Sequence, residues 1–263
     1  MKFRVRLLGT GPSQGVPNLG GADEAGDWGS CDPANPKNRR TRTAALIEAD
    51  DGTRLLIDPG PDIRAQLLAA RVARLDAVLV THAHADHIMG LDELRAVNRA
   101  TGQALPLHAM PETLQNLTER FGYAFLPPTR GFYRPSLTPH LAEPGQTLTI
   151  GPLALQLLEP DHHVMRTLGL RIGPFAYCTD VVRLPAASLA TLAGTDTWVV
   201  GCFQRHPHPV HAHLALCLEW ANTIQARHTI LTHMSNTLDH TTLTTELNPG
   251  AAPGFDGMEM VFG

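Results

Sequence analysis

The run Thr81-His82-Ala83-His84-Ala85-Asp86-His87 follows directly on the apolar stretch Ala77-Val78-Leu79-Val80. It places four metal-binding side chains within six positions at the end of a candidate strand. So many well-spaced ligands favour folds that turn there around a cation site. His82 and His84 alternate along an extended backbone and point to one side, whereas Asp86 and His87 follow as the chain turns away. One short loop can serve two ions in this way, His82 and His84 facing one and Asp86 and His87 the other. The spacing between ions in two-metal hydrolytic sites is about 3.5–4 Å. A histidine-rich surface turn is the plainer alternative, and the aspartate among the histidines argues against it. A structural zinc site usually closes its shell with cysteines, and none lies near this loop.

The pattern T-H-x-H-x-D-H at a strand end resembles the signature of the metallo-β-lactamase-fold hydrolases. The resemblance implies further ligands downstream. A third histidine should follow an apolar strand, and Leu153-Ala154-Leu155-Gln156-Leu157-Leu158 runs into Asp161-His162-His163. A bridging aspartate should end the next strands, and Phe175-Ala176-Tyr177-Cys178-Thr179-Asp180 supplies it. A last histidine is supplied by Thr229-Ile230-Leu231-Thr232-His233, and an aspartate that props the histidine loop by Leu55-Leu56-Ile57-Asp58-Pro59-Gly60. The implied metal set is therefore His82, His84, Asp86, His87, His162, Asp180 and His233, with Asp58 hydrogen-bonded behind the loop. His163 reads as facing away, because one turn seldom aims two adjacent side chains at one ion.

Within that family, Leu231-Thr232-His233-Met234-Ser235, Gly254-Phe255-Asp256-Gly257-Met258-Glu259 and the opening Leu8-Gly9-Thr10-Gly11-Pro12-Ser13-Gln14-Gly15-Val16-Pro17 look like one branch. It contains the cyclic-phosphate phosphodiesterase of the carbon-phosphorus lyase pathway, which acts on a phosphoribosyl 1,2-cyclic phosphate. That enzyme has an N-terminal cysteine cluster holding a structural zinc. This chain departs from it, with only Cys31 there, and its residues 27–40 are similar to a sister group.

At 263 residues, 43% hydrophobic and with a mean hydropathy of −0.09, the chain has material for one large domain or two small ones. No linker long or polar enough to separate domains appears, so residues 1–263 read as a single domain. The formal charge of −4 and pI of about 6.4 provide no basic surface that would track nucleic acid, and the expected partner is a small molecule. Cys31, Cys178, Cys202 and Cys217 lie far apart with no C-x-x-C pair, as in a reducing compartment. The N-terminus alternates apolar and basic residues and lacks the apolar core of a signal peptide, and no stretch is long enough to cross a bilayer. A cytoplasmic protein is expected. Symmetric dimers are the commonest assemblies, so a homodimer is compatible with the sequence without being dictated by it.

Candidate strands fall at 3–8, 44–48, 54–57, 77–80, 105–108, 147–150, 153–158, 169–172, 175–178, 197–202 and 229–232. Candidate helices fall at 63–70, 91–101, 111–121, 186–192, 213–225 and 241–247. Strands and helices interleave in two similar halves, as two packed sheets flanked by helices would. The expected fold is α/β, a four-layer αββα sandwich, which the resemblance also implies.

Two irregular stretches stand out. In residues 9–42 the glycine-rich start could let backbone amides approach an anion, and Arg39, Arg40 and Arg42 could bring positive charge to a substrate phosphate. Alternatively this is a capping loop whose arginines pair with surface carboxylates. Residues 126–143, with Arg130, Tyr133 and Arg134, read either as a lid or as cover for a sheet edge. A third feature is Arg205-His206-Pro207-His208-Pro209-Val210-His211-Ala212-His213, whose prolines would hold it extended. In the phosphodiesterase branch a histidine just before the following helix is the general acid. His211 is the matching position, with His213 as its rival, while His206 and His208 could contact substrate oxygens. An imidazole suits the task because its ordinary pKa is roughly 6.5.

The expected activity is hydrolysis of a small phosphodiester, cyclic or linear, by a hydroxide bridging two divalent ions. His211 would protonate the leaving alkoxide, and Asp86 would support the second ion. Imidazole ligands favour zinc, and carboxylates shared with an oxygen-rich substrate also tolerate manganese or iron. The same ions could instead hydrolyse a lactone, thioester, ester or β-lactam. The tRNA 3′-processing endonucleases share the ligand set but need a basic arm that this chain does not show. A non-hydrolytic relative in cofactor biosynthesis, such as pyrroloquinoline quinone assembly, or a silent binding module should have altered or lost ligands. Every ligand position here is filled.

Overall fold

The computed structural model describes residues 2–263. In chain order the strands are β1 (Phe3–Gly9), β2 (Ala44–Ala49), β3 (Arg54–Ile57), β4 (Ala77–Leu79), β5 (Leu105–Ala109), β6 (Leu137–Leu141), β7 (Thr147–Ile150), β8 (Leu153–Leu158), β9 (Gly169–Ile172), β10 (Phe175–Cys178), β11 (Thr197–Gly201), β12 (His228–Thr232), β13 (Ala251–Pro253) and β14 (Glu259–Phe262). They form two seven-stranded sheets, ordered β14-β1-β2-β3-β4-β5-β6 and β13-β12-β11-β10-β9-β8-β7. Each sheet begins with antiparallel pairings and changes to parallel ones, at β3–β4 in the first and β10–β11 in the second. The two halves of the chain thus repeat one topology, except that β14 returns to close the edge of the first sheet beside β1.

Strand β3 shows why the layers form. Leu55 and Ile57 point into the space between the sheets, where they meet Leu155, Leu157, Phe175, Tyr177 and Val199, whereas Leu56 points outward under the helices. A strand buried on both faces needs apolar residues at every position, which is why these strands read as continuous apolar runs. Helices α1 (Ile63–Ala70), α2 (Ala85–Ile88), α3 (Arg95–Thr101) and α4 (Pro111–Phe121) cover the first sheet, through Ile63, Leu67, Ile88, Val97 and Leu117 among others. Helices α5 (Ala186–Leu192), α6 (Leu214–Ile224) and α7 (His240–Glu246) cover the second through Leu192, Cys217, Trp220, Ile224 and Leu243. This is the αββα order expected from the sequence.

Three strands were not expected. β6 lies within the stretch read as a lid or edge cover, and it is itself the edge strand, paired in parallel with β5. Its Pro139 is tolerated because an edge strand has one side free of hydrogen bonding. Arg134 binds the carbonyls of Tyr123, Leu126 and Pro127, and Arg99 those of Gly131 and Phe132, so the segment is fastened over the helices rather than over a cleft. β13 and β14 complete the opposite edges of the two sheets. The expected helix at 91–101 divides into a 3-10 turn, Leu91–Leu94, and α3. All four cysteines are buried and none forms a disulfide.

Candidate metal centre

The C-terminal ends of the parallel strands converge on one rim, where open α/β sheets commonly bind ligands. Asp58 follows β3, Asp180 lies two residues past β10, and His233 follows β12. All three take left-handed backbone, with φ of 59°, 46° and 55°. Non-glycine residues rarely adopt it, and where they do the surrounding structure holds them there. Between them the loop after β4 carries His82 and then His84, extended at the N-cap, before turning into α2, which presents Asp86 and His87. The turn is tight. A Cβ on Gly60 would collide with the Asp86 carbonyl oxygen, so only glycine lets the Asp58 turn approach the histidine loop this closely.

His82, His84, His162 and Asp180 converge as one group, and Asp86, His87 and His233 as a second. In the first, His84 Nδ1 lies 3.0 Å from His82 Nε2 and 3.3 Å from His162 Nε2, with Asp180 Oδ1 4.0 Å from His82 Nε2 and 3.8 Å from His162 Nε2. In the second, Asp86 Oδ2 lies 3.3 Å from His87 Nε2 and 3.6 Å from His233 Nε2. Asp180 joins the two. Its Oδ2 is 3.2 Å from His87 Nε2 and its Oδ1 is 3.4 Å from His233 Nε2.

The partition between the groups is the one implied by the loop spacing. Asp58 stands behind the loop as expected, and the structure adds Thr81 and the Val210 carbonyl, which the sequence did not single out. Asp58 accepts from the Thr81 N–H and hydroxyl, each at 2.8 Å, and lies 2.8 Å from His87 Nδ1. His162 Nδ1 donates to the Val210 carbonyl at 2.8 Å, tying that ligand to the segment bearing His211. The signal for Thr81 was its place between strand and first histidine.

The charge balance fits cations. Burial opposes charge on His87, yet the carboxylates of Asp86, Asp180 and Asp58 outweigh it and hold the imidazole well above its ordinary pKa. Burial likewise favours neutral Asp180, and the neighbouring His233, His87 and His82 overcome it, so its carboxyl stays ionised well below the usual range. Nε2 of His87 and both ring nitrogens of His233 are buried without a hydrogen-bond partner. The two Nε2 atoms face Asp86 and Asp180, and divalent ions held there would satisfy both while replacing the protons as the source of positive charge. Five imidazoles and two carboxylates in these two groups fit a dinuclear site, and a third, overlapping group joins His211 to Asp180 and His233.

A cleft of about 340 Å³ opens over the cluster, lined by Ser13, His84, Ala85, Asp86, His162, Val164, Asp180, Val210, His211 and His233. His211 Nδ1 lies 3.6 Å from Asp180 Oδ1, and its ring stacks on His233 at 5.0 Å between centroids. Burial, then the nearby His233, pushes His211 down to about 3. His213 is outside the cleft lining and forms the N-cap of α6. His208 packs on Phe203 and on the His211 ring, and exposed His206 lines a separate depression with Ser30, Arg205 and Thr242.

The arginines expected near a phosphate are elsewhere. Arg40 is 1% exposed, and its guanidinium donates to the carbonyls of Ser235 and Leu238 and to Asn38 Oδ1. It is a structural tie, because the carbonyl ends it satisfies lie inside the protein. Arg39 lies over the Trp28 ring at 5.0 Å, and Arg42 pairs with Asp62 at 3.0 Å. A wider cavity of about 450 Å³ beside α1 and β1, lined by Arg6, Gln66 and Asp256 among others, holds none of the metal-binding side chains.

Comparison with known proteins places this arrangement. A solved structure described as a new diphosphatase from the PhnP family superposes with a TM-score of 0.90 at 31% identity, over 100% of this chain and 98% of that one. The metallo-beta-lactamase fold protein YhfI from Bacillus subtilis superposes at 0.75 with 20% identity over 99% of both chains, a likeness of fold. An octanoyltransferase of Porphyromonas gingivalis is 32% identical over 98% of this chain, and the chain spans about half of that protein's length, 51%. The family described as "Beta-lactamase superfamily domain" matches residues 53–234, which run from the strand leading into Asp58 to just past His233. The chain belongs to the beta-lactamase superfamily and has the metallo-β-lactamase fold, with a histidine and aspartate cluster that fits metal ions.

Proposed function

We propose that this protein hydrolyses a small phosphodiester, cyclic or linear, at a dinuclear metal centre. The observation that carries the reading is the place of His211. It is a half-buried imidazole in the same cleft as both ligand groups, beside the carboxylate they share. A proton donor at that point matters most for a poor leaving group such as an alkoxide. The likeness to a diphosphatase, whose chemistry is also at phosphorus, supports it.

Zinc or manganese, with iron also compatible, would be held by His82, His84, His162 and Asp180 on one side and by Asp86, His87, His233 and Asp180 on the other. The ions would supply Lewis-acid polarisation of the phosphoryl group and acidify a water. His211 is neutral in the free cleft because burial and the surrounding imidazoles disfavour its cation. An anionic phosphate brought against the ring would act in the opposite direction, toward the protonated form that a donor to the departing oxygen requires. Asp58 and Thr81 hold the loop in register, and Val164 and Val210 give the cleft an apolar wall against water.

The test is an assay of metal-reconstituted protein on a bis-aryl phosphodiester, a ribose cyclic phosphate and an ester or lactone, comparing wild type with Asp86→Ala and His211→Ala. The reading expects turnover confined to phosphodiesters, abolished by Asp86→Ala and slowed by His211→Ala mainly with alkoxide leaving groups. A second reading, hydrolysis of an ester, thioester or lactone, is favoured by the acyl-transfer name of the Porphyromonas gingivalis relative. It is selected if esters or lactones turn over faster and His211→Ala is without effect on any leaving group.

A further inference from the structure

The cleft presents an anion with a problem that the metal ligands do not solve. Among the described residues that line it there is no lysine or arginine, and the arginines of the 9–42 stretch are engaged elsewhere. A phosphoryl group oriented only by ions would be free to turn about them. One residue of that stretch does reach the cleft, Ser13.

Ser13 sits in a turn closed by a 2.8 Å hydrogen bond from the Gly15 N–H to the Pro12 carbonyl. The turn is rigidly seated on both sides. Gly11 donates to Thr41 and accepts from the Thr43 amide and hydroxyl, while Val16 and Arg40 exchange both backbone hydrogen bonds. A Cβ on Gly11 would lie 2.8 Å from the Arg40 carbonyl oxygen, so the close seating requires glycine. The turn is also tied to the metal centre, because Met234, directly after His233, donates to the Thr10 carbonyl at 2.9 Å. Yet among the described residues the exposed Ser13 hydroxyl and the Ser13 and Gln14 amides have no hydrogen-bond partner, whereas the backbone flanking the turn at Gly11 and Val16 is paired. An exposed, preorganised donor facing a cleft built for an anion is what electrostatic recognition uses, since it needs no rearrangement when the ligand arrives.

We propose that the Pro12–Gly15 turn is the phosphoryl subsite, in which the Ser13 hydroxyl donates to a non-bridging oxygen of the substrate and orients it against the metal ligands. This rests on the phosphodiesterase reading above. The Ser13 amide, likewise without a partner among the described residues, belongs to the same turn. Ser13 is thus a binding residue that sets how the phosphoryl group lies, and the organic part of the substrate is left to Val164 and Val210.

The experiment uses metal-reconstituted enzyme, wild type, Ser13→Ala and Ser13→Thr. Inorganic phosphate is titrated by calorimetry, KM and kcat are measured on a bis-aryl phosphodiester, and metal content and thermal unfolding are read alongside. Ser13→Ala should weaken phosphate binding about tenfold, the worth of one hydrogen bond to a charged group, and raise KM. Metal content and unfolding temperature should not move, and Ser13→Thr should keep the affinity. Unchanged phosphate affinity in Ser13→Ala, or a fully metallated wild type that binds no phosphate, overturns the subsite. A wild type that turns over only esters or lactones instead sinks the phosphodiesterase reading. A phosphate affinity that still depends on Ser13 in such an enzyme would leave an anion subsite standing, so the two failures are told apart.

Discussion

Asp58 Oδ2 lies 2.8 Å from Nδ1 of His87, with both side chains closed to solvent. The contact decides which nitrogen of that imidazole would face a bound ion. With Nδ1–H donated to Asp58, Nε2 keeps its lone pair, and that atom faces Asp180 and Asp86. A metal-binding histidine almost always has its far nitrogen fixed in this way, and losing the partner typically costs 10- to 100-fold in affinity or activity.

Asp58→Asn should therefore damage the centre without unfolding the protein. Asparagine tolerates the left-handed backbone at this position. Its amide, however, must either donate to His87 Nδ1, forcing the proton onto Nε2, or turn away and leave the Thr81 donors short. Metal titration should show affinity on the His87 side falling by about 10- to 100-fold. Unchanged affinity would mean that Asp58 is only a brace for the strand ends.

Asp180 is the carboxylate common to both groups, so its loss should be felt by two ions rather than one. Asp180→Ala should reduce bound metal below two equivalents by elemental analysis and abolish turnover. Chelation of wild type should lower its unfolding temperature, because ions that bind only the native state stabilise it by mass action. The variant should respond less to the chelator. Two full equivalents retained by Asp180→Ala would show that the two groups are independent.

Arg40 separates the structural reading from the phosphate-binding one. Arg40→Met leaves the Leu238 carbonyl without a donor among the described residues, and the Ser235 carbonyl with the Leu238 N–H alone, in a buried setting. The cost should be about 2–4 kcal/mol in denaturant unfolding. KM per folded, metallated molecule should stay at the wild-type value. A raised KM with normal stability would restore Arg40 to the substrate.

His108 offers a pH test away from the metal. Burial, and then the stacked His140 ring 5.0 Å away across β5 and β6, lowers its pKa to about 4. The unfolded chain, with an ordinary value of roughly 6.5, binds more protons between those limits. The stability contribution of His108 is complete above the unfolded value and is lost as pH falls toward the folded one. Between about pH 7 and about pH 5 the wild-type unfolding temperature should drop more than that of His108→Gln. Parallel curves would remove His108 from the acid response.

The interior strands are legible in the sequence because two buried faces demand unbroken apolar runs, as Leu55-Leu56-Ile57 shows. The edges are not. β6 reads Leu-Thr-Pro-His-Leu with only Leu137 buried, and β13 reads Ala-Ala-Pro. An edge strand lacks neighbours on one side, so its residues are under little pressure to look like a strand. The capping loop shows the same limit. A run of arginines in a glycine-rich stretch has the same composition whether it meets a phosphate or a ring of buried carbonyls.

By itself the sequence supplied the candidate donors, and the alternation and turn after β4 set how those on that loop divide. His82 and His84 face one way, Asp86 and His87 another, because extended and helical backbone have fixed side-chain directions. Tertiary structure alone decided what those donors meet. Asp58, Asp180 and His233 come from strands far apart in the chain, and each is swung toward the cluster by left-handed backbone that packing at the strand ends sustains. The same packing brings His211 to the shared carboxylate, caps α6 with His213, and draws Arg40 inward. These choices are set by contacts across sheets, which local spacing along the chain does not encode.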